Sequence, residues 1–393
     1  MIPTLYQGSV KDIRGPLSVG SHRTSAVVFE YTDAYSVFDW GRMPDPLSRK
    51  GEALAMIAAN WFERLERAET WQEFSKSPEA LALRKGNRFG AAFNELGETL
   101  QKEGLRTHYL GLLKNLDGEI RPFSTEDADA PGKLICVKQV SVVKPGSSSV
   151  LGRSIPDYLV TRESPAPRLV PLEVVFRFSL PSGSSLHERV KRDPGYLASI
   201  GFGEAELSDG VKWGFPVLEL FTKLESTDRP LSLSEALAIS GIPASALEDL
   251  LLKTAWIAGC LKWICARAGV ELADGKMEWG ISADGRVFLV DAIGPDELRI
   301  LKDGVQLSKE FLRGHYRKTT WYQALDRAKS DARAQGISDW KRLVTEAPPA
   351  LPEDFRELGS QLYQALANHL TGGSWFPKAW TLDRVVTEMR NRH

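Results

Sequence analysis

The chain has few of the residues that build disulfide frameworks and cysteine-rich metal sites. Its 393 residues include only three cysteines and six histidines. Three cysteines cannot make a disulfide framework, and no histidine has ligand-like spacing to a cysteine. A cysteine-rich zinc site is therefore excluded, and we expect reduced thiols.

An excess of charge of one sign is also missing. The chain has 50 Lys and Arg residues against 51 Asp and Glu residues, which gives a net charge of -1. Proteins whose main partner is the phosphate backbone of nucleic acid favour a large positive excess. We therefore expect no nucleic-acid partner.

Uninterrupted apolar runs and targeting signals are absent as well. The most apolar stretch, 247–270, is broken by Lys253, Lys262 and Arg267, which makes it unsuitable as a membrane span. Residues 1–8 lack the basic region and apolar run of a secretory signal. The missing membrane span and the missing secretory signal predict a cytoplasmic protein that does not insert into membranes. The sequence also lacks a Walker-type phosphate loop.

The residues that are present predict a mixed helix and sheet protein with a sizeable core. Hydrophobic residues make up 42% of the chain, and its length allows two or three domains. Apolar periodicity predicts strands at 26–31, 135–143 and 172–178, and a helix at 51–65. A second helix is predicted from Ser245, with Glu248 completing a capping box and Gly269 at its end. The Pro-containing tract up to residue 167 is predicted to be a surface loop.

A predicted hairpin at residues 276–291 is the most informative segment. Asp284 and Gly285 form the strongest short hairpin signal, and we take them as the two turn residues. This register places Glu278 directly opposite Asp291. Alternation then puts one set of side chains on an apolar face: Met277, Trp279, Ile281, Phe288, Val290 and Ala292.

Two carboxylates in such a pair have Cβ atoms roughly 4.5–5.5 Å apart and repel each other. A cation between Glu278 and Asp291 would remove that repulsion, and an oxygen-only ligand set suits Mg²⁺ together with substrate phosphates. Alternatively, Lys276 simply neutralises Glu278 on a solvated face. The hairpin geometry alone leaves both interpretations open.

Several short motifs, taken together, resemble the SAICAR synthetase (phosphoribosylaminoimidazole-succinocarboxamide synthase) family. No single match is decisive, but the motifs follow the family's order over nearly the whole chain. In chain order they are 8–13 (GSVKDI), 33–39 (DAYSVFD), 49–51 (RKG), 104–108 (GLRTH), 171–177 (PLEVVFR), 183–184 (GS), 221–225 (FTKLE), 273–280 (ADGKMEWG), 291–299 (DAIGPDELR) and 370–375 (LTGGSW).

The resemblance implies an α+β fold with a cleft for ATP between two lobes. It suggests a β-rich N-terminal lobe with a helical insertion over 1–143 and a larger α+β lobe over 144–316. A helical C-terminal extension would cover 317–393. The last motif resembles the longer, fungal-type members, and we expect a monomer or homodimer.

The resemblance also implies an ATP-dependent ligase of purine biosynthesis. ATP would phosphorylate the carboxylate of carboxyaminoimidazole ribonucleotide, and the amine of L-aspartate would displace phosphate to give SAICAR. The expected cofactors are ATP and Mg²⁺, and the expected partners are small-molecule substrates. Such chemistry depends on positioning and charge neutralisation.

Site residues follow from the motifs position by position. The residues that match the catalytic positions are Lys276, Glu278 and Asp291, of which Glu278 and Asp291 match the metal ligands. Those that match ATP-binding positions are Gly8, Lys11, Lys223 and Glu225. Those that match the positions that hold the ribonucleotide are Arg177, Ser184, Asp296 and Arg299.

Some positions depart from the family's motifs. Ser9 and Ala34 replace basic residues, Ala292 replaces an acid, and Glu297 and Leu298 replace small residues beside Arg299. These changes motivate one alternative, a paralogous ligase that uses another heterocyclic carboxylate or amine. Another alternative is a nucleotide-binding protein that has lost catalysis, although the retained charged residues argue against it.

Overall fold

A five-stranded antiparallel sheet forms the first part of the fold. The computed structural model describes residues 2–21, 23–87, 89–117, 120–180, 184–200, 207–208, 210–225, 227–335, 337 and 339–392. The strands of this sheet are β1 (Thr4–Gln7), β2 (Lys11–Val19), β3 (Thr24–Tyr31), β4 (Tyr109–Leu113) and β5 (Leu134–Lys138), in the spatial order β1–β2–β3–β5–β4. Strand β3 reads as a nearly continuous apolar run because both of its faces are covered.

A second antiparallel sheet carries the longest strands. These are β8 (Arg168–Ser179), β9 (Lys212–Thr222), β10 (Pro230–Leu231), β11 (Glu271–Ile281), β12 (Val287–Val290), β13 (Leu298–Lys302) and β14 (Val305–Gln306). Their order is β10–β9–β8–β11–β13–β14, and β12 pairs with the second half of β11. The central position of β11 explains why so many of its residues are buried.

The helices pack around and between the two sheets. They are α1 (Lys50–Glu66), α2 (Ala68–Phe74), α3 (Pro78–Lys85), α4 (Ala91–Glu103), α5 (Leu159–Glu163), α6 (Ser185–Arg192), α7 (Tyr196–Ser199), α8 (Leu233–Ser240), α9 (Ala244–Arg267), α10 (Glu310–Tyr316), α11 (Thr320–Gln335), α12 (Glu353–Thr371) and α13 (Leu382–Arg390). Within the described part of the chain, none combines the length and apolar composition needed to cross a lipid bilayer. Helices α1 and α9 are buried on most sides and share one large core with both sheets.

The predicted capping box of the long helix is wrong, although the helix itself is confirmed. Helix α9 begins at Ala244 with Pro243 as its N-cap, so Ser245 lies inside the first turn and no side chain caps the helix. A capping box is instead formed one helix earlier, between Ser232 and Glu235 of α8. Gly269 follows α9 with φ of 67°, as expected for a C-terminal stop.

Two other predicted segments differ in extent. The strand predicted at 135–143 ends at Lys138, and Ser141 makes only an isolated bridge to Arg168. The tract predicted as a loop contains a hairpin of β6 (Gly146–Val150) and β7 (Arg153–Asp157), followed by α5. Most side chains of this hairpin are exposed, which explains why its strands lack an apolar pattern.

Backbone hydrogen bonds join the two sheets beside β12. The amide of His108 donates to the carbonyl of Leu289 (3.0 Å), and the amide of Leu289 donates to Arg106 (3.3 Å). The amide of Lys138 donates to the carbonyl of His108 (2.7 Å). These bonds hold the end of β12 against the first sheet, where most of the predicted site residues meet.

Candidate active site

A cavity of about 620 Å³ lies between the β1–β2 turn and the second sheet. The predicted site residues that line it are Gly8, Lys223, Lys276, Glu278, Asp291 and Asp296. A neighbouring cavity of about 340 Å³ shares Lys276 and Asp296 with it and is also lined by Arg177 and Arg299. The structure therefore brings residues from widely separated motifs to two adjoining cavities.

Glu278 and Asp291 interact inside the larger cavity. Burial, followed by the negative charge of Asp291, raises the pKa of Glu278 to about 7. Burial alone would also raise the pKa of Asp291, but the ammonium of Lys11 holds it well below its usual range. The Nζ of Lys223 lies 2.7 Å from Oε1 of Glu278, and Lys11 forms an ion pair with Asp291. Each carboxylate thus faces a lysine from a different strand.

The predicted hairpin register is wrong by one residue. Three residues, 283–285, form the loop, and Gly285 adopts φ of 77°. Glu278 therefore pairs with Val290, not with Asp291. The strong Asp-Gly signal located the turn correctly, but a three-residue loop with a left-handed glycine is a common alternative to the two-residue turn.

This shift also changes the apolar face. The side chains that join the main core are Met277, Trp279, Ile281, Val287, Leu289 and, as predicted, Ala292. Phe288 and Val290, which were predicted on that face, belong to a separate small cluster on the other side of the sheet. A one-residue slip exchanges the faces of a whole strand, because side chains alternate with a period of two.

Asp291 still reaches Glu278 because the backbone leaves strand geometry at this point. Strand β12 ends at Val290, and Asp291 has φ of 67°, in the left-handed region. The ring of His108 supports the turn, since its Nε2 donates to the carbonyl oxygen of Asp291 (3.0 Å). Burial lowers the pKa of His108 to about 3, so the imidazole is neutral. The sequence interpretation missed this positioning role.

Glu173 is a further acidic residue that the sequence interpretation missed. It lies on β8 directly opposite Glu278 of β11 and is buried. Its Oε2 accepts hydrogen bonds from the ammonium groups of Lys276 (2.9 Å) and Lys223 (3.2 Å), which lower its pKa against the effect of burial. Two carboxylates on neighbouring strands repel each other, and such cations offset the repulsion. The pairing of β8 with β11 would have revealed that Glu173 lies beside Glu278.

The β1–β2 turn places Gly8 at the cavity wall and Lys11 behind it, against Asp291. The amide of Gly8 donates to the carbonyl of Lys11 (3.0 Å), and a Cβ at position 8 would lie only 2.4 Å from that oxygen. A glycine is therefore required there. The ammonium of Lys11 lies 4.3 Å from the centre of the Phe29 ring, which directs it toward Asp291.

Glu225 lies close to Lys223 in sequence but is not among the residues lining either cavity. Its Oε1 accepts a hydrogen bond from the hydroxyl of Tyr158 (2.6 Å) and lies 3.6 Å from Arg229. Tyr158 precedes α5, so the exposed hairpin and the segment after it are tied to the end of β9. The predicted role of Glu225 toward ATP stays a prediction.

Three of the predicted ribonucleotide residues, Arg177, Asp296 and Arg299, line the smaller cavity, whereas Ser184 is not among the residues lining either cavity. Arg177 is buried and pairs with both Glu219 and Asp274, the latter at 3.1 Å. Arg299 is more exposed and lies 3.3 Å from the same Asp274 carboxylate. Ser184 caps α6, where its hydroxyl accepts from the amide of Leu186 (3.4 Å). Its motif neighbour, residue 183, lies outside the described residues.

Lys309 and Arg313 are two cations of this region that the sequence interpretation missed. Both line the two cavities, one at the start of α10 and one a turn later. Burial lowers the pKa of Lys309, and the charges of Asp296 and Glu297 oppose that shift. The sequence could have revealed this pair of cations, because a Lys and an Arg four residues apart at the start of a helix share one helix face.

Asp296 is held by residues from two distant helices. Its Oδ2 accepts from Lys50 of α1 (2.9 Å), and its Oδ1 accepts from the hydroxyl of Tyr363 of α12 (2.6 Å). The neighbouring Glu297 also lines both cavities, and burial followed by the charge of Asp296 raises its pKa to about 7. A pair of adjoining cavities lined by lysines, arginines and carboxylates is suited to anionic substrates.

The sequence profile described as SAICAR synthetase matches residues 4–115 and 154–328 of this chain. The chain belongs to the SAICAR synthetase family. A protein of Archaeoglobus fulgidus, provisionally named phosphoribosylaminoimidazole-succinocarboxamide synthase, is 34% identical over 387 residues that cover 98% of each chain. The phosphoribosylaminoimidazole-succinocarboxamide synthase of Thermoplasma acidophilum is 26% identical over 94% of this chain and 99% of its own length.

Solved structures of the family have the same fold. A SAICAR synthase from Saccharomyces cerevisiae, described as complexed with SAICAR, superposes with a TM-score of 0.51 at 20% identity, over 95% of this chain and 96% of that one. A second SAICAR synthase structure gives a TM-score of 0.53 at 19% identity, with the same coverage. These findings confirm the predicted family, the α+β fold class and the enzyme class, an ATP-dependent carbon–nitrogen ligase.

Proposed function

We propose that the protein joins the carboxylate of carboxyaminoimidazole ribonucleotide to the amine of L-aspartate, with ATP and Mg²⁺, to give SAICAR. The observation that carries this proposal is the arrangement of Glu278 and Asp291 in the cavity beside the arginine-lined cavity. One cavity is suited to the nucleotide phosphates and the other to the ribonucleotide phosphate. Lys276 lies on their common wall, where the two substrates would meet.

The donor set of the larger cavity fits Mg²⁺. Two partly buried carboxylates stand close enough for the charge of Asp291 to raise the pKa of Glu278. Mg²⁺ usually takes one or two protein carboxylates and completes its shell with water and substrate phosphates. We therefore propose Glu278 and Asp291 as its ligands. When bound, the ion would neutralise charge on the transferring phosphoryl group.

We propose an acyl phosphate intermediate. A carboxylate oxygen of the ribonucleotide attacks the γ-phosphorus of ATP, and the bond to the bridging oxygen breaks, so that ADP leaves. The amine of L-aspartate then attacks the acyl carbon, loses a proton and expels inorganic phosphate. Lys11, Lys223 and Lys276 supply positive charge around the cavity where phosphate moves.

We assign the ribonucleotide phosphate to the smaller cavity. Arg299 offers the more accessible guanidinium, while Arg177 is already paired with two buried carboxylates and fixes the floor of the cavity. Lys309 and Arg313 add positive charge at the cavity's border with the larger one. Ser184 and Asp296 complete the proposed set. Gly8 and Glu225 remain proposed contacts of ATP.

A second candidate is a ligase of the same type that takes another amine or heterocyclic carboxylate. The observation that favours it is Glu297, a partly buried carboxyl that borders both cavities and would lie beside the substrates. A cytoplasmic location and a monomeric or homodimeric state stay predictions.

The deciding experiment measures ADP release by the purified protein with ATP, Mg²⁺ and carboxyaminoimidazole ribonucleotide, with and without L-aspartate. Aspartate-dependent release, with a succinocarboxamide product in the mass spectrum, supports the proposal. Release that requires a different amine or carboxylate favours the second candidate. Binding of ATP and Mg²⁺ without turnover on any tested pair contradicts both and indicates a protein that has lost catalysis.

A further inference from the structure

Asp296 is clamped between a lysine and a tyrosine that come from opposite ends of the chain. The ammonium of Lys50 donates to Oδ2 at 2.9 Å, and the hydroxyl of Tyr363 donates to Oδ1 at 2.6 Å. The side chains of Lys50 and Tyr363 are both fully buried. Each oxygen of the carboxylate therefore has its own fixed donor, and the carboxylate still borders both cavities.

The charge states of Asp296 and Tyr363 are well defined. Burial, followed by the charge of Asp296, raises the pKa of Tyr363 well above its usual value, so the phenol remains a neutral donor. Burial would raise the pKa of Asp296, but Lys50 and Lys309 hold it at about 2. Asp296 is thus a permanent anion that accepts hydrogen bonds only.

The two donors are themselves held in place. Both oxygens of Asp33 accept from backbone amides at the start of α1, those of Arg49 (3.1 Å) and Gly51 (3.0 Å). On the other side, the side-chain amide of Gln364, next to Tyr363, donates to the carbonyl of Ser48 (3.1 Å). Helices α1 and α12 are therefore locked together around the Asp296 carboxylate.

We propose that Tyr363 is a positioning residue for the ribonucleotide, acting through Asp296. With one oxygen fixed by Lys50 and the other by Tyr363, the carboxylate cannot rotate, and its remaining lone pairs keep one direction toward the substrate. This inference rests on the proposed function, because it needs Asp296 to contact the ribonucleotide. Tyr363 lies outside the segments matched by the family profile, so the proposal makes α12 part of the active site.

The test is Tyr363→Phe, which keeps the ring and removes only the hydroxyl. We expect the KM for the ribonucleotide to rise about tenfold, because a hydrogen bond to a charged group is lost, while the KM for ATP stays unchanged. The matched control is Tyr109→Phe. Tyr109 is also buried and donates to a carboxylate, that of Glu63 (2.8 Å), but it lines neither cavity. Thermal unfolding of both variants checks that they fold.

A double-mutant cycle with Asp296→Asn separates positioning from a structural role. We expect Tyr363→Phe to have little further effect on the ribonucleotide KM in the Asp296→Asn background. A tenfold effect that persists there, or an equal effect of Tyr109→Phe, overturns the inference. An unchanged ribonucleotide KM in a folded Tyr363→Phe variant overturns it as well.

Calorimetric titration with the ribonucleotide alone tests the proposed function separately from the positioning role of Tyr363. A wild-type protein that does not bind the ribonucleotide contradicts the proposed function and this inference together. A wild-type protein that binds it, with equal affinity in Tyr363→Phe, contradicts the inference alone. Weaker binding in Tyr363→Phe, with wild-type affinity in Tyr109→Phe, supports it.

Discussion

Lys11 and Asp291 form an ion pair that joins the two sheets across 280 positions of sequence. Lys11 begins the second strand of the first sheet, and Asp291 follows a strand of the second sheet. The pair closes one side of the cavity, and the left-handed backbone at Asp291 aims its carboxylate there. Four predictions follow from this site and its surroundings.

The carboxylate pair is expected to be required for turnover. Glu278→Gln and Asp291→Asn should each lower kcat by more than about 100-fold, because the loss of a charged metal ligand removes several kcal/mol of transition-state stabilisation. The measurement is ADP release over a range of Mg²⁺ concentrations. The matched control is Asp284→Asn at the tip of the same hairpin, whose ion pairs are with the exposed Arg106 and Arg286. Wild-type rates in either site variant would contradict the metal assignment.

Removal of Arg177 is expected to lower stability, whereas removal of Arg299 is expected to weaken ribonucleotide binding. Arg177→Ala removes the buried cation that pairs with both Glu219 and Asp274, so the free energy of unfolding should fall by about 3 kcal/mol or more. Arg299→Ala should change stability little and raise the ribonucleotide KM about tenfold. Urea unfolding and steady-state kinetics measure the two effects, with Lys302→Ala on the same strand as control. Equal stability losses would show that Arg299 is structural.

Lys309 is expected to bind an anionic substrate. It lies partly buried beside Asp296 and Glu297, and Lys309→Ala should raise the KM for the ribonucleotide about tenfold while leaving the KM for ATP within twofold. Lys318→Ala, an exposed lysine just beyond the same helix, is the control. A selective rise in the KM for L-aspartate would instead assign Lys309 to the amine.

Glu66 is expected to make stability depend on pH. Burial raises its pKa from 4.5 to about 7, and Thr107 donates a hydrogen bond to it. The native state then holds a proton that the unfolded state has lost, so this group's contribution to stability falls as pH rises from about 4.5 to about 7.

Glu66→Gln removes that ionisation. The stability of the variant relative to wild type should therefore increase between pH 5 and pH 8, by on the order of 2 kcal/mol. Urea unfolding at several pH values measures this, with Glu69→Gln, an exposed residue nearby, as control. A difference that does not change with pH would mean that Glu66 ionises normally.

The proximity of Glu278 and Asp291 was predictable from the sequence, although the predicted hairpin register was wrong. Alternation in a two-residue hairpin predicted the pair, and the real register places Val290 opposite Glu278. The pair forms because Asp291 turns out of the strand. Local patterns can locate a turn, but they do not report a left-handed residue at a strand end, which depends on the surrounding fold.

The partners that complete the site were harder to predict. Glu173, Lys50 and Tyr363 reach their positions through strand pairing and helix packing over long distances in sequence. A buried lysine at a helix start reads like any surface lysine until its acidic partner is known. The motifs therefore predicted several residues that line the two cavities, but they did not identify the residues that hold those side chains in place.

The clamp on Asp296 has a consequence for how the enzyme is made. Lys50 and Asp296 leave the ribosome before α12, so the growing chain contains both residues before the helix that covers their contact exists. Until that helix docks, the α1 surface that it buries is open to solvent. A nascent chain stalled before residue 353 would thus be a client for chaperones and proteases, not a partly working ligase.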